Sequence, residues 1–185
     1  MDFNFSDDQQ QLRDAVAKWV EKGYGFERRR GIEAAGGFSR EAWDELAELG
    51  LGGLYIPEDE GGLGMGAVEG MVVMEELGRG IVLEPLAQSF IAGAVLAGHA
   101  DEDTKDSWLP RIAGGQALVV LAHQERKARY RLDVCEAKAV RDGNGYRLTG
   151  SKSLVPAGDE ADAFIVPAQL DGKIALFLVP RSEEG

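Results

Sequence analysis

The stretch IAGGQALVVLAHQE, residues 112–125, decides the architecture, because the pattern of the chain changes inside it. Before it, apolar residues recur at helical spacing. Within it, Gly114 and Gly115 stop a helix and ALVVLA follows as an apolar run of strand length. An all-helical region therefore ends near Gly114, and a β-region starts near Ala117.

Toward the N-terminus, Ser6 followed by Gln9 is a capping-box pattern, and Asp7 and Asp8 favour a helix start through the dipole. Leu12, Ala15, Val16, Trp19 and Val20 then give one apolar face up to the break at Gly23–Gly25. Ser39 caps a second helix carrying Ala42, Trp43, Leu46, Ala47 and Leu49, stopped by Gly50. LGLGGLYIPEDEGGLGMG (residues 49–66) predicts an ordered, irregular loop. A third helix from Ala67 turns Met71, Val72, Met74 and Leu77 inward, and a fourth after Pro85 turns Phe90, Ile91, Ala94 and Val95 inward. A fifth begins near Asp101 with Trp108, Leu109 and Ile112, which makes a bundle.

Toward the C-terminus, CEAKAVR and YRLTGSKS flank the turn signal DGNG, and AFIVPAQ and IALFLVP flank LDGK. The spacing predicts an antiparallel, barrel-like β-domain of about five strands that is left incomplete, with an open edge. The expected fold is thus α+β and multi-domain: a helical domain over residues 1–114 and a partial β-domain over 115–185.

Composition narrows the class. Of 185 residues, 44% are hydrophobic and 28% charged, the balance of a soluble globular chain, and no apolar run is long enough to span a membrane. The acidic, polar N-terminus is unlike a secretory signal, so the cytoplasm is the expected compartment. Cys135 is the single cysteine, which excludes an internal disulfide. A net charge of -12 argues against nucleic acid. The basic clusters Arg28–Arg30 and Arg126, Lys127, Arg129 and Arg131 read as solvated faces. His99 and His123 are far apart, so no metal is expected, and His123 reads as a hydrogen-bonded structural residue. Gly61, Gly62, Gly64 and Gly66 match neither a P-loop nor a dinucleotide fingerprint.

Several ordered strings carry a resemblance. Residues 49–66, MEELGRG (74–80), residues 112–125 and YRLTGSKSLVPAGDEADAFIVPA (146–168) together resemble the acyl-CoA dehydrogenases over essentially the whole chain. The resemblance implies an N-terminal helical domain, a middle β-domain, and a C-terminal helical domain missing here. It implies FAD as cofactor, an acyl-CoA thioester as substrate, and α,β-dehydrogenation to the 2,3-enoyl-CoA. The family's base is a glutamate of the C-terminal domain, so no catalytic residue is expected among these 185. The glycine-rich loop lies near the acyl pocket in the family.

The resemblance further implies cofactor contacts at Ala122, Gln124, Leu154, Val155 and Pro156, and a substrate contact at Tyr130. Two departures stand out. Where the family reads Ala-x-Thr-Glu-Pro and then Gly-Ser-Asp, this chain has Ala122-His123-Gln124-Glu125-Arg126 and then Arg129-Tyr130-Arg131, keeping only the Ala and Glu. Where many members place an aromatic and then Ile-Ser/Thr-Asn after Gly-Ser-Lys, this chain has Leu154, Val155, Pro156 and Ala157, and Pro156 has neither amide hydrogen nor hydroxyl. GYGFERR and AHQERKARYRL resemble the small subunits of heteromeric members, such as those acting on pimeloyl-CoA. Two readings follow: a flavoprotein dehydrogenase chain in a homo- or hetero-oligomer, or a flavin-poor, non-catalytic subunit of an α2β2 enzyme. A non-enzymatic helical interaction module is the third.

Overall fold

Ser6 Oγ accepts from the Gln9 amide at 3.2 Å and Gln9 Oε1 accepts from the Ser6 amide at 2.9 Å, closing the expected capping box at the head of the first helix. The structure, a computed structural model, describes residues 4–129 and 131–183. Among them are helices α1 (Asp7–Gly23), α2 (Phe26–Ala34), α3 (Arg40–Glu48), α4 (Ala67–Gly80), α5 (Leu86–His99) and α6 (Glu102–Ala113), followed by strands β1 (Val119–Leu121), β2 (Lys138–Asp142), β3 (Gly145–Thr149), β4 (Ala163–Leu170) and β5 (Lys173–Pro180). The chain divides into two units, Met1–Gln116 and Ala117–Gly185.

In the helical unit, α1 packs along α4. Val20 fits against Gly80, where a Cβ would come within 2.6 Å of its methyl group. Val16, Val20, Val72 and Leu77 are buried there, each stabilising by about 1.5–3 kcal/mol when fully covered. The seam also holds a buried carboxylate, Glu76, which accepts from Arg13 at 2.9 Å and Arg79 at 2.8 Å. On α4 the inward residues are Gly70, Val72, Val73, Glu76 and Leu77, whereas Met71 and Met74 are exposed, against expectation. Glu76 explains the difference, since helical periodicity puts charge outward and here two arginines admit it inward. On α5 the buried set is Leu86, Ser89, Phe90, Ala92, Gly93 and Leu96, with Ile91 and Ala94 exposed. Gly93 turns inward because Ile56 occupies the space beside it, at 2.8 Å from where a Cβ would stand.

Helix α2 has no counterpart in the sequence expectation. It buries only Ile32, too little for a periodic apolar signal, and is held by polar contacts instead. Arg28 donates to both oxygens of Glu45 at 2.9 Å and to the Gly23 carbonyl at 2.8 Å, while Arg29 donates to the Gly80 carbonyl at 2.7 Å. Two of the three arginines read as a solvated face are therefore internal struts. Ser39 caps α3 as expected, accepting from the Ala42 amide.

The segment between α3 and α4 is ordered and irregular, built on two short 3-10 turns at Leu51–Gly53 and Glu58–Glu60. Its amides are spent internally: Leu63 donates to Gly53, Gly64 to Ile56 and Met65 to Leu54, each at 2.8–2.9 Å. A phosphate cradle needs free amides, so backbone geometry is the role of these glycines.

In the second unit ALVVLA does form a strand, β1. The DGNG and LDGK turns make the two expected antiparallel hairpins, β2–β3 and β4–β5. The sheet is nevertheless mixed. Strand β1 pairs with β4 in parallel, Val119 opposite Ala163, and β2 meets β4 in parallel at Lys138 and Gln169. Hairpin turns are written locally, whereas the β1–β4 pairing joins distant segments and has no local signature. Asp162 fixes that pairing by accepting from the Leu118 amide at 2.8 Å.

Candidate functional site

Two loops of the sheet unit meet. The segment leaving β1, residues 122–129, and the β3–β4 connection, residues 150–162, are joined where the Ser153 amide donates to the Gln124 carbonyl at 2.9 Å. Ala122 is buried and its amide continues the ladder to the Ile165 carbonyl. Gln124 is half-buried. Leu154 is 84% exposed, Val155 half-buried and Pro156 exposed. The five residues read as cofactor contacts are thus brought to adjoining positions of one unit. Tyr130, read as a substrate contact, lies outside the described residues.

Beneath the junction is a polar node. Glu125, 4% exposed, accepts from Lys152 Nζ at 2.7 Å, from the Ala137 amide at 3.0 Å and from the Glu136 amide at 2.5 Å. Burial alone would raise its carboxyl, but the Lys152 ammonium and the Ala137 and Glu136 amides outweigh it and hold the group down at about 2. Glu125 is therefore an ionised structural acceptor and unsuited to proton abstraction. Cys135 lies beside it, with Sγ at 3.5 Å from Glu125 and 3.7 Å from Lys152, and burial pushes its thiol up, away from the reactive thiolate. A recess of ≈ 420 Å³ opens alongside, lined by Glu125, Arg126, Glu136, Gly150, Ser151 and Ser153 among others.

The backbone here is strained. Arg129, Leu154 and Ala157 adopt positive φ of 51°, 52° and 53° without being glycine. His123 Nε2 is buried without a hydrogen-bond partner, so the expected structural hydrogen bond at that atom is not made. The pairing of Glu125 with Lys152 across 27 residues has no local signature in the sequence. Arg181, which donates to the Ala161 and Gly158 carbonyls, gave no signal either.

The residues present fit a planar ring with polar edges. Gln124 offers both a donor and an acceptor, His123 offers an unsatisfied nitrogen, and Leu154 offers an uncovered apolar surface. Pro156 supplies none of these polar functions. Among the described residues no group of three or more His, Cys, Asp or Glu stands close enough to hold a metal ion.

Comparison with known proteins agrees with the geometry. The family model described as the acyl-CoA dehydrogenase N-terminal domain matches residues 6–116. The chain is 33% identical to acyl-CoA dehydrogenase FadE12 of Mycobacterium tuberculosis over 97% of its own length and 48% of that protein. It is also 33% identical to mitochondrial isovaleryl-CoA dehydrogenase of Pongo abelii, over 96% of this chain and 42% of that one. Among solved structures, the ChsE4–ChsE5 complex of Mycobacterium tuberculosis is similar with a TM-score of 0.89 and 30% identity, covering 100% of this chain and 50% of that one. The Tcur3481–Tcur3483 steroid enzyme variant is similar with a TM-score of 0.88 and 29% identity, covering 95% and 48%. The chain spans about half the length of the relatives it matches. A helical unit matched by the family model, running into a sheet that carries the joined 122–129 and 150–162 loops, places this chain in the acyl-CoA dehydrogenase family.

Proposed function

We propose that this chain contributes the helical and cofactor-facing part of a flavin-dependent enzyme that dehydrogenates an acyl-CoA thioester between its α and β carbons. The observation that carries this reading is the Ser153–Gln124 hydrogen bond, because it sets the two strings that resemble the family's flavin contacts side by side. When bound, FAD accepts the hydride that leaves the substrate's β-carbon. The chain's own part is to bind and orient: Gln124 at the ring's polar edge, Leu154 and Val155 against its face, and the buried Ala122 backing the loop. The α-proton requires a base with a matched pKa and reach, and Glu125 offers neither. The family resemblance assigns that base to a glutamate of the C-terminal helical domain. The cytoplasm and an oligomeric assembly fit the same reading.

A second reading is favoured by Pro156, which removes an amide and a hydroxyl together. In it the chain is the flavin-poor partner in a two-chain enzyme, and the ChsE4–ChsE5 complex among its structural neighbours is a two-chain assembly. Anaerobic mixing of the flavin-loaded enzyme with acyl-CoA thioesters of graded length tests the activity. Bleaching of the flavin and formation of the enoyl thioester are expected; loaded enzyme that neither bleaches nor forms the enoyl product with any thioester rejects it.

A further inference from the structure

We infer that the buried Glu125–Lys152 pair and Arg181 are positioning residues that hold segment 153–157 as a strained, pre-set platform at the cofactor site. This rests on the flavin reading above only for what the platform faces.

Segment 153–157 is anchored at both ends. At its start, Lys152 Nζ lies 2.7 Å from Glu125, itself held by the Ala137 and Glu136 amides, and the next residue donates its amide to Gln124. The node thereby ties together the β1 exit, the entry to β2 and the β3–β4 connection. At the far end, Arg181 donates to the Gly158 and Ala161 carbonyls and lies over the Phe164 ring at 5.7 Å. Between the anchors are two non-glycine residues in the left-handed region, Leu154 at φ 52° and Ala157 at φ 53°. Such conformations persist where the surroundings over-determine them. Leu154 is nevertheless 84% exposed, so no packing on its own side chain enforces its backbone. The constraint comes from the two anchors.

A buried ion pair is a poor device for stability, since an apolar pair of similar shape is often as good. With side chains 9% and 4% exposed, Lys152 and Glu125 bear the full cost of leaving water. What the pair supplies in return is a fixed distance and direction between the 124 and 153 backbones. Preorganisation of this kind matters where a planar ligand is met by backbone and apolar surface rather than by long polar side chains.

Site-resolved amide exchange separates positioning from bulk stability. In Lys152→Met the Ser153 amide is expected to exchange about 100-fold faster. In the double variant Glu125→Gln with Lys152→Met, which leaves no unpaired buried charge, the denaturation midpoint recovers while Ser153 stays fast. Return of Ser153 protection together with the midpoint would show that the pair only balances charge, and would overturn the proposal. Arg181→Met, a change at an exposed residue, gives an independent reading if the Lys152 variants do not fold. There the Gly158 amide, which donates to Val155 at 3.1 Å, is expected to lose protection while β4 and β5 keep theirs, and an unchanged Gly158 rate refutes the anchor. Adding FAD to the unaltered protein is expected to slow Ser153 exchange further. No slowing there would remove the flavin as the platform's ligand and leave the variant results standing.

Discussion

Glu125 shows how a single side chain couples the site to solution conditions. Its carboxyl falls from an ordinary 4.5 to about 2 in the folded protein, so the folded state favours the ionised form. The stability this contributes is complete above pH 4.5 and is lost as pH falls toward about 2. From the size of that change the contribution is on the order of 3 kcal/mol. Denaturant titrations between neutral pH and pH 2 check this: Glu125→Gln is expected to flatten the acid limb, and an unchanged limb contradicts the assignment. Glycines give a second test at this scale. At Gly62 a Cβ would lie 2.1 Å from the Ile56 carbonyl oxygen, with backbone on both sides unable to yield, so Gly62→Ala is expected to cost about 3 kcal/mol. At Gly31, inside α2, nothing lies within 4 Å, and Gly31→Ala is expected to stabilise by about 0.5–1 kcal/mol through helix propensity. Thermal melts of the two variants should move in opposite directions.

At the scale of elements, α2 depends on a contact rather than on a buried face. With Arg28 replaced by Met, Glu45 keeps only the Trp19 indole N–H as a donor, and the unit is expected to lose about 1–2 kcal/mol, partial exposure of the pair having been allowed for. Amide exchange should show α2 opening before α1 and α4; uniform change across the bundle counts against this. The same contrast explains which elements the sequence disclosed. Ser6 with Gln9, Ser39, and the DGNG and LDGK turns act within a few residues of themselves, so α1, α3 and the two hairpins were legible. Helix α2 was not, because Arg28 and Glu45 are 17 residues apart. The parallel β1–β4 pairing was not, since Leu118 and Asp162, which pin it, are separated by 44 residues. The inward face of α4 is not legible because its Glu76 is charged and yet buried. At the site, resemblance named Gln124 and Leu154–Pro156, and the structure supplies what links them, Ser153 above and the Glu125–Lys152 node below.

For the molecule as a whole, charge and topology bear on function separately. A net charge of -12 disfavours nucleic acid as a partner, and among the described residues no helix is long and apolar enough to cross a membrane. The mixed sheet is ordered β1-β4-β2-β3 with β5 on β4, which puts the β1 exit and the β3–β4 connection within reach of each other. That proximity is the basis of the cofactor reading, and the direct test is a count of flavin. The protein is purified with FAD present, alone and together with a second acyl-CoA dehydrogenase chain, then freed of unbound cofactor. Heat-released flavin is quantified per chain from its visible absorbance. We expect stoichiometric flavin in at least one of the two preparations, falling when Gln124 is changed to Ala; absence of flavin from both would contradict the account.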